Sequence, residues 1–270
     1  MKGRRYDEFI TDFVFLALSD CNLKNLFDEI VIHFAIPSSR LRLIALLNIF
    51  TTAPSFSSAA KILPKHPLML HLLYSLFFDT SSTAATLGIT LLVKVLPFLA
   101  AHARHDLKAM LPKLLAILAR IMCWKERPAS KNEADLDETI DADFERELEC
   151  ETNPVPVANP DIQWARLEMS FRATSLPPSS RNYFTMLYYL FPSNLLTFLR
   201  SPAQYLINSG VPSPYMETWD HTFNEDKIHR RSKVNLIFTM FFSAEVKLIL
   251  LGFDSRTQLP SCAHSARRCR

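Results

Sequence analysis

Only four glycines, Gly3, Gly88, Gly210 and Gly252, occur in 270 residues. Glycine takes positive φ at no steric cost, and tight hairpins and phosphate-cradling loops depend on it. A chain this poor in glycine is directed toward helices. No two glycines are spaced for G-x-G-x-x-G, for a P-loop or for a G-x-S-x-G elbow, so those chemistries are excluded. Prolines supply the punctuation instead. Pro37, Pro54 and Pro64 fall between apolar runs, where a missing N–H and the restricted preceding residue end helices.

The runs between the prolines have apolar spacings of three and four, as amphipathic helices do. Phe9, Phe13 and Leu16 form one stripe after Asp7. Leu23, Leu26, Ile30 and Phe34 form the next, with Asp20 as its expected N-cap. Ser38 or Ser39 is expected to cap the run RLRLIALLNIF, residues 40–50. A short helix is expected over 68–77, with Asp79, Thr80 and Ser81 forming the turn and the next cap. Residues 83–101 are apolar nearly all round, which predicts a central helix. Residues 108–124 place Leu111, Leu114, Leu115, Leu118 and Ile121 inward, with Pro112 in the first turn.

Short antiparallel helices joined by short turns define the expected fold: all-α, a helical-repeat solenoid of the HEAT or armadillo kind. No strict sequence period accompanies it. Four segments are expected: a helical-repeat core over 1–125, an acidic insertion without fixed structure over 126–160, a continuation of the helical domain over 161–232, and a tail over 233–270. A short helix is expected over 162–171. The run 234–253 is long and apolar but carries Asn235, Glu245 and Lys247, so its reading as a buried helix or a membrane span stays open.

Ten acids and two bases lie within residues 131–151. Removing them from the chain's 30 basic and 27 acidic side chains leaves 28 and 17, a body of net charge +11. Such a body suits an anionic partner surface, with the acidic run as an internal competitor or simply a solvated stretch. Basic residues recur at the expected turns: Arg40 and Arg42, Lys61 and Lys65, Arg104 and Lys108, Lys125 and Arg127. Lys227, His229, Arg230 and Arg231 form the densest cluster. Aligned on one edge of a solenoid, these charges would suit anionic lipid headgroups or serve only for solubility. No nucleic-acid-binding signature accompanies them.

Five cysteines, Cys21, Cys123, Cys150, Cys262 and Cys269, form no C-x-x-C pair, which suits a reducing compartment. The N-terminus has no signal-peptide pattern. His102 and His105, with Asp106 beside them, are the nearest approach to a metal cluster. They lack an H-E-x-x-H frame, and a polar turn explains them as well. Cys123 reads as an inert core thiol. No catalytic residue, metal or cofactor is expected.

One segment is more specific: FTMLYYLFPSNLLTFLRSPAQYL. Its step Phe191-Pro192-Ser193-Asn194, followed by Phe198-Leu199-Arg200, resembles the aromatic–Pro–Cys–Asn step and Phe-Leu-Arg of the hamartin family, in its N-terminal domain of fungal type. Ser193 stands where the family has cysteine, and as a better cap it is expected, with Asn194, to satisfy the free amides of the next helix. RLRLIALLNIF, LLYSLFFDTSSTAATLGITLLVKVLP and LLAILARIMCW follow the family in order, so the resemblance spans residues 7–231. It implies a non-catalytic scaffold that stabilises the tuberin GTPase-activating subunit, acts on Rheb through it and restrains the target-of-rapamycin complex TORC1. It also implies contact with phosphoinositides at a lysosomal or vacuolar membrane, from the cytoplasm, with self-association as a further expectation. Two alternatives are a phosphoinositide-binding recruitment domain alone and a metal-dependent hydrolase at His102 and His105. The tail after Ser232 resembles nothing in the family and has no heptad, as a truncated or mis-spliced reading frame would give.

Overall fold

The computed structural model describes residues 23–53, 56–124, 157–160, 162, 164–167 and 177–241. The expected helix over 9–16, the acidic run 131–151, Lys125 and Arg127, the tail from 242 and every cysteine except Cys123 lie outside them.

Eleven α-helices follow one another among the described residues: α1 (Leu23–Phe34), α2 (Pro37–Phe50), α3 (Phe56–Ile62), α4 (Pro67–Phe78), α5 (Ser82–His102), α6 (Arg104–Met122), α7 (Arg181–Leu190), α8 (Pro192–Arg200), α9 (Pro202–Asn208), α10 (Trp219–Thr222) and α11 (Glu225–Phe241). A 3₁₀ turn, Leu63–Lys65, joins α3 to α4. Their only β pairing is one antiparallel bridge between Ala158 and Tyr215. The all-α expectation holds.

Prolines begin four of these helices. Pro37, Pro67, Pro192 and Pro202 sit at the first helical position, where the missing N–H costs nothing. Pro64 is the second residue of the 3₁₀ turn. The helix-starting prolines displace the expected caps: Ile36 is the N-cap of α2, and Ser38 and Ser39 lie in its first turn without a capping bond. Ser81 does cap α5, its Oγ accepting from the Ala84 amide at 3.3 Å. Pro112 departs from expectation. α6 begins at Arg104, because Leu107 belongs to the same buried stripe as Leu111 and Leu114, so Pro112 lies inside the helix.

The central helix is α5, which packs on α2, α3, α4, α6 and α7. It is long and apolar enough to cross a membrane, but half of that run, including Leu92, Leu96 and Leu99, is buried inside the protein. Gly88 explains how closely α4 approaches it, since a Cβ there would lie 2.9 Å from Leu76 Cδ2. Asn48 ties α2 to α5 by donating to the Leu87 carbonyl at 3.0 Å, while Lys94 donates to the Asn48 carbonyl at 3.2 Å.

The second half closes onto this array. α7 packs on α5 and α11, and α11 also packs on α6 and α8. One apolar core runs from α1 to α11. α11 passes without interruption through the expected boundary at residue 232, and Ser232, Asn235 and Thr239 are buried along it. Residues 157–160 end the expected insertion, yet they are held by main-chain bonds from Asn159 to Pro214 and from Met216 to Val157, both 3.0 Å. Ile162 and residues 164–167, where a helix was expected, are not helical.

Candidate functional site

The C-terminal end of α4 is the most elaborate polar arrangement among the described residues. A helix ends with free carbonyls and partial negative charge. Here cationic and phenolic donors from distant segments take them up. Arg120 on α6 donates to the carbonyls of Leu76 and Asp79, the latter at 2.6 Å. Tyr215 donates to Phe77 O at 3.1 Å, and Arg166 to Phe78 O at 3.1 Å.

Beside them lies a buried ion pair. Arg40 Nη1 is 2.6 Å from Asp79 Oδ1, and neither residue reaches solvent to any useful extent. Arg40 also donates to Phe34 O at 3.1 Å, Ala35 O at 3.3 Å and Ala165 O at 2.7 Å. Asp79 accepts from Ser75 Oγ at 2.6 Å and from the Leu167 amide at 2.7 Å. Every polar atom of the pair thus has a partner, which offsets the desolvation of two charges. Burial pulls the Arg40 guanidinium below its usual value, and Asp79 opposes the shift. Trp164 stacks on the same guanidinium at 4.1 Å.

This arrangement corrects the reading of Arg40 as part of an exposed basic edge. Arg42, Lys61, Lys65, Arg104 and Lys108 are exposed, but Arg40 is core. The signal was present in the spacing: Arg40, Ile44 and Leu47 share one face of α2, and that face is buried.

The cluster at 227–231 lies in the first turns of α11. His229 donates from Nε2 to Leu199 O at 2.8 Å, and Arg231 from Nη1 to Ile121 O at 3.4 Å. Each serves the C-terminal end of a neighbouring helix, α8 or α6. Arg230 is exposed and Lys227 half-buried. Two of the four, His229 and Arg231, are thus engaged with main-chain carbonyls.

His102 closes α5 and His105 lies in the first turn of α6, both exposed. No three metal-ligating side chains converge among the described residues. Cys123 donates to Asn224 O at 3.5 Å, and burial raises its thiol above the ordinary value, which keeps it protonated. His66, the N-cap of α4, is buried. Its Nδ1 accepts from the Leu68 amide, so Nε2 carries the proton toward Asp28 Oδ1 at 2.9 Å.

The segment at 191–200 forms the corner between α7 and α8. Phe191 leaves helical geometry at φ −142°, ψ 58°, and Pro192 starts α8. Leu187, Leu195 and Phe198 are fully buried around the corner, Leu199 nearly so, and Arg200 is exposed. The expected capping by Ser193 or Asn194 does not occur, because both already lie inside α8. Asn194 instead donates to the Tyr205 hydroxyl at 3.2 Å on the surface. Beside it, Thr197, Arg200, Gln204 and Asn208 line an open depression between α8 and α9. An enclosed apolar void lies between Phe27, Phe50, Phe56 and Leu91.

No protein-family model matches the sequence, and no curated protein matches it. Several solved structures are similar, among them two from one family. One, described as the TSC1 N-terminal domain, is 21% identical with a TM-score of 0.49, over 73% of this chain and 43% of that one. The other, the TSC1 N-terminal and linker domains, is 18% identical with a TM-score of 0.50, over 93% of this chain and 64% of that one. The second shares the fold along nearly all of this chain. The chain spans less than two thirds of the length of either structure. The fold is hamartin-like, of the N-terminal-domain type.

Proposed function

We propose that this chain is a non-catalytic scaffold of the hamartin type, which stabilises a tuberin-like GTPase-activating subunit and thereby restrains TORC1. One observation carries the reading. The fold shared over 93% of the chain occurs in a sequence whose hamartin-like segment, from Phe191 to Arg200, forms the corner between α7 and α8, with Leu195, Phe198 and Leu199 buried in it. A motif that tracks a packing corner supports common descent better than a motif on a loop would, because its residues answer to one geometry. The reading places the protein in the cytoplasm, at the surface of the lysosome or vacuole.

The test is co-purification with the tuberin-like subunit, together with TORC1 substrate phosphorylation after deletion of the gene. A retained partner and raised phosphorylation are expected. A partner that neither co-purifies nor loses abundance on deletion, with unchanged phosphorylation, would overturn the reading.

Recruitment by anionic phosphoinositides has narrower support. His229 and Arg231 are engaged with carbonyls, so a headgroup would meet mainly Arg230 and Lys227. Vesicle binding that survives Lys227→Glu with Arg230→Glu would exclude this patch.

A further inference from the structure

The segment comprising residues 157–160, 162 and 164–167 is held in a way unlike the rest of the fold. It belongs to no helix. Its main chain pairs with residues 214–216 at one end. At the other end, Ala165 O accepts from Arg40, the Leu167 amide donates to Asp79, and Leu167 O accepts from Thr80 at 3.4 Å. Trp164 enters an aromatic seat. Its ring lies 6.3 Å from Phe34, 5.5 Å from His71 and 5.9 Å from Tyr74, centroid to centroid, with the Arg40 guanidinium over its face. A non-helical backbone held by fixed donors and acceptors, with one large side chain in a pocket, is a way in which proteins recognise peptides.

The seat is not fully satisfied. Trp164 Nε1 and His71 Nδ1 are both buried and both lack a hydrogen-bond partner. Buried polar atoms without partners weaken a contact relative to a fully bonded one. The segment is joined to residue 124, just beyond α6, through residues 125–156 and to residue 177, ahead of α7, through residues 168–176. At about 3.3–3.6 Å per residue, these 32 and nine residues reach roughly 100 Å and 30 Å, so the chain's length does not hold the segment at its own cradle.

We propose that Arg40, Asp79 and the end of α4 form a peptide-docking cradle. Its resident ligand is the chain's own Trp164-Ala165-Arg166-Leu167, and it takes the same segment from a second copy in exchange. The second copy is the source because each copy carries the one sequence that the structure shows to fit. The idea is independent of the scaffold reading above and stands whether or not a tuberin-like partner exists.

The probe is a labelled peptide of residues 157–167, added to the Trp164→Ala chain and to the unaltered chain. The peptide should bind the variant about tenfold or more tightly than the unaltered chain, whose cradle is filled for most of the time. The same peptide with its tryptophan replaced by alanine should bind neither. A variant that keeps its helical circular dichroism yet ignores the peptide overturns the proposal. Hydrogen exchange on the unaltered chain decides the matter even if the variant unfolds. The Leu167 amide should exchange through an opening that leaves α4 and α6 protected, and exchange only with global unfolding refutes it. At high concentration the unaltered chain should form dimers that excess peptide dissolves. Peptide binding without such dimers would refute the second copy as the source.

Discussion

Arg40 on α2 and Asp79 just beyond α4 face each other at 2.6 Å with no exposed surface to speak of, and through them the first helices, the end of α4 and the segment at 164–167 become one unit. Removing one partner leaves the other charge buried and alone. Arg40→Leu or Asp79→Ala should each lower unfolding stability by about 3–5 kcal/mol. Arg40→Leu combined with Asp79→Ala should cost clearly less than the two single changes together. Urea denaturation of the four chains measures this, and strict additivity would contradict the pairing.

Two buried tyrosines make the fold sensitive to alkali. Tyr183 donates to Leu114 O at 2.9 Å and Tyr215 to Phe77 O, and burial raises both phenols above the ordinary value. Above the unfolded value of about 10, the unfolded chain releases protons that the folded chain keeps. Stability is therefore complete below about pH 10 and falls as the pH rises toward the folded values. Melting temperature against pH from 9 to 11.5 should show this fall, and Tyr183→Phe with Tyr215→Phe should flatten it. Each change also removes one hydrogen bond, at a cost of about 1 kcal/mol at neutral pH.

His71 acts at the other end of the scale. Burial first, and the nearby Arg40 charge second, lower its value. Below the unfolded value of about 6.5, the unfolded chain takes up a proton that the folded chain resists, so stability falls as pH drops through that region. Thermal melts between pH 7 and pH 5 should show a smaller loss for His71→Gln than for the unaltered chain.

Gly88 permits the close crossing of α4 and α5. Gly88→Val should force Leu76 to move and cost about 1–3 kcal/mol by overpacking. Thermal melting of Gly88→Val against the unaltered chain reads the change directly.

Within the hamartin-like segment, the buried and exposed positions should separate sharply. Phe198→Ala should cost about 3–5 kcal/mol, since its ring is fully buried against Tyr205 at 5.8 Å. Asn194→Ala should change stability by no more than about 0.5 kcal/mol, because its contact lies on the surface. Denaturation midpoints of the two variants check this contrast.

Much of the architecture was legible along the chain. Glycine scarcity, proline placement and three-four spacing identified helices α1, α2, α4 and α5 within a few residues, because these signals act over one or two turns of backbone. The aromatic–Pro corner was equally local: Pro192 cannot continue α7 and suits the start of α8. Errors came where two local signals competed. Ser38, Ser39, Ser193 and Asn194 are good caps, but the adjacent prolines claimed the first helical position and moved them inside.

The chain's order alone thus specified an all-α array, its breaks and the absence of glycine-dependent motifs. It could not assign the charged residues. Arg40 and Arg230 look alike in a sequence, yet one is buried against Asp79 and the other faces water. His229 and Arg231 looked like free surface charge until α8 and α6 presented carbonyls to them. Helix formation depends on neighbours a few residues away. The role of a long cationic side chain depends on which carbonyls and carboxylates arrive from segments as far away as the 125 residues between Arg40 and Ala165, and that pairing exists only once the helices have packed.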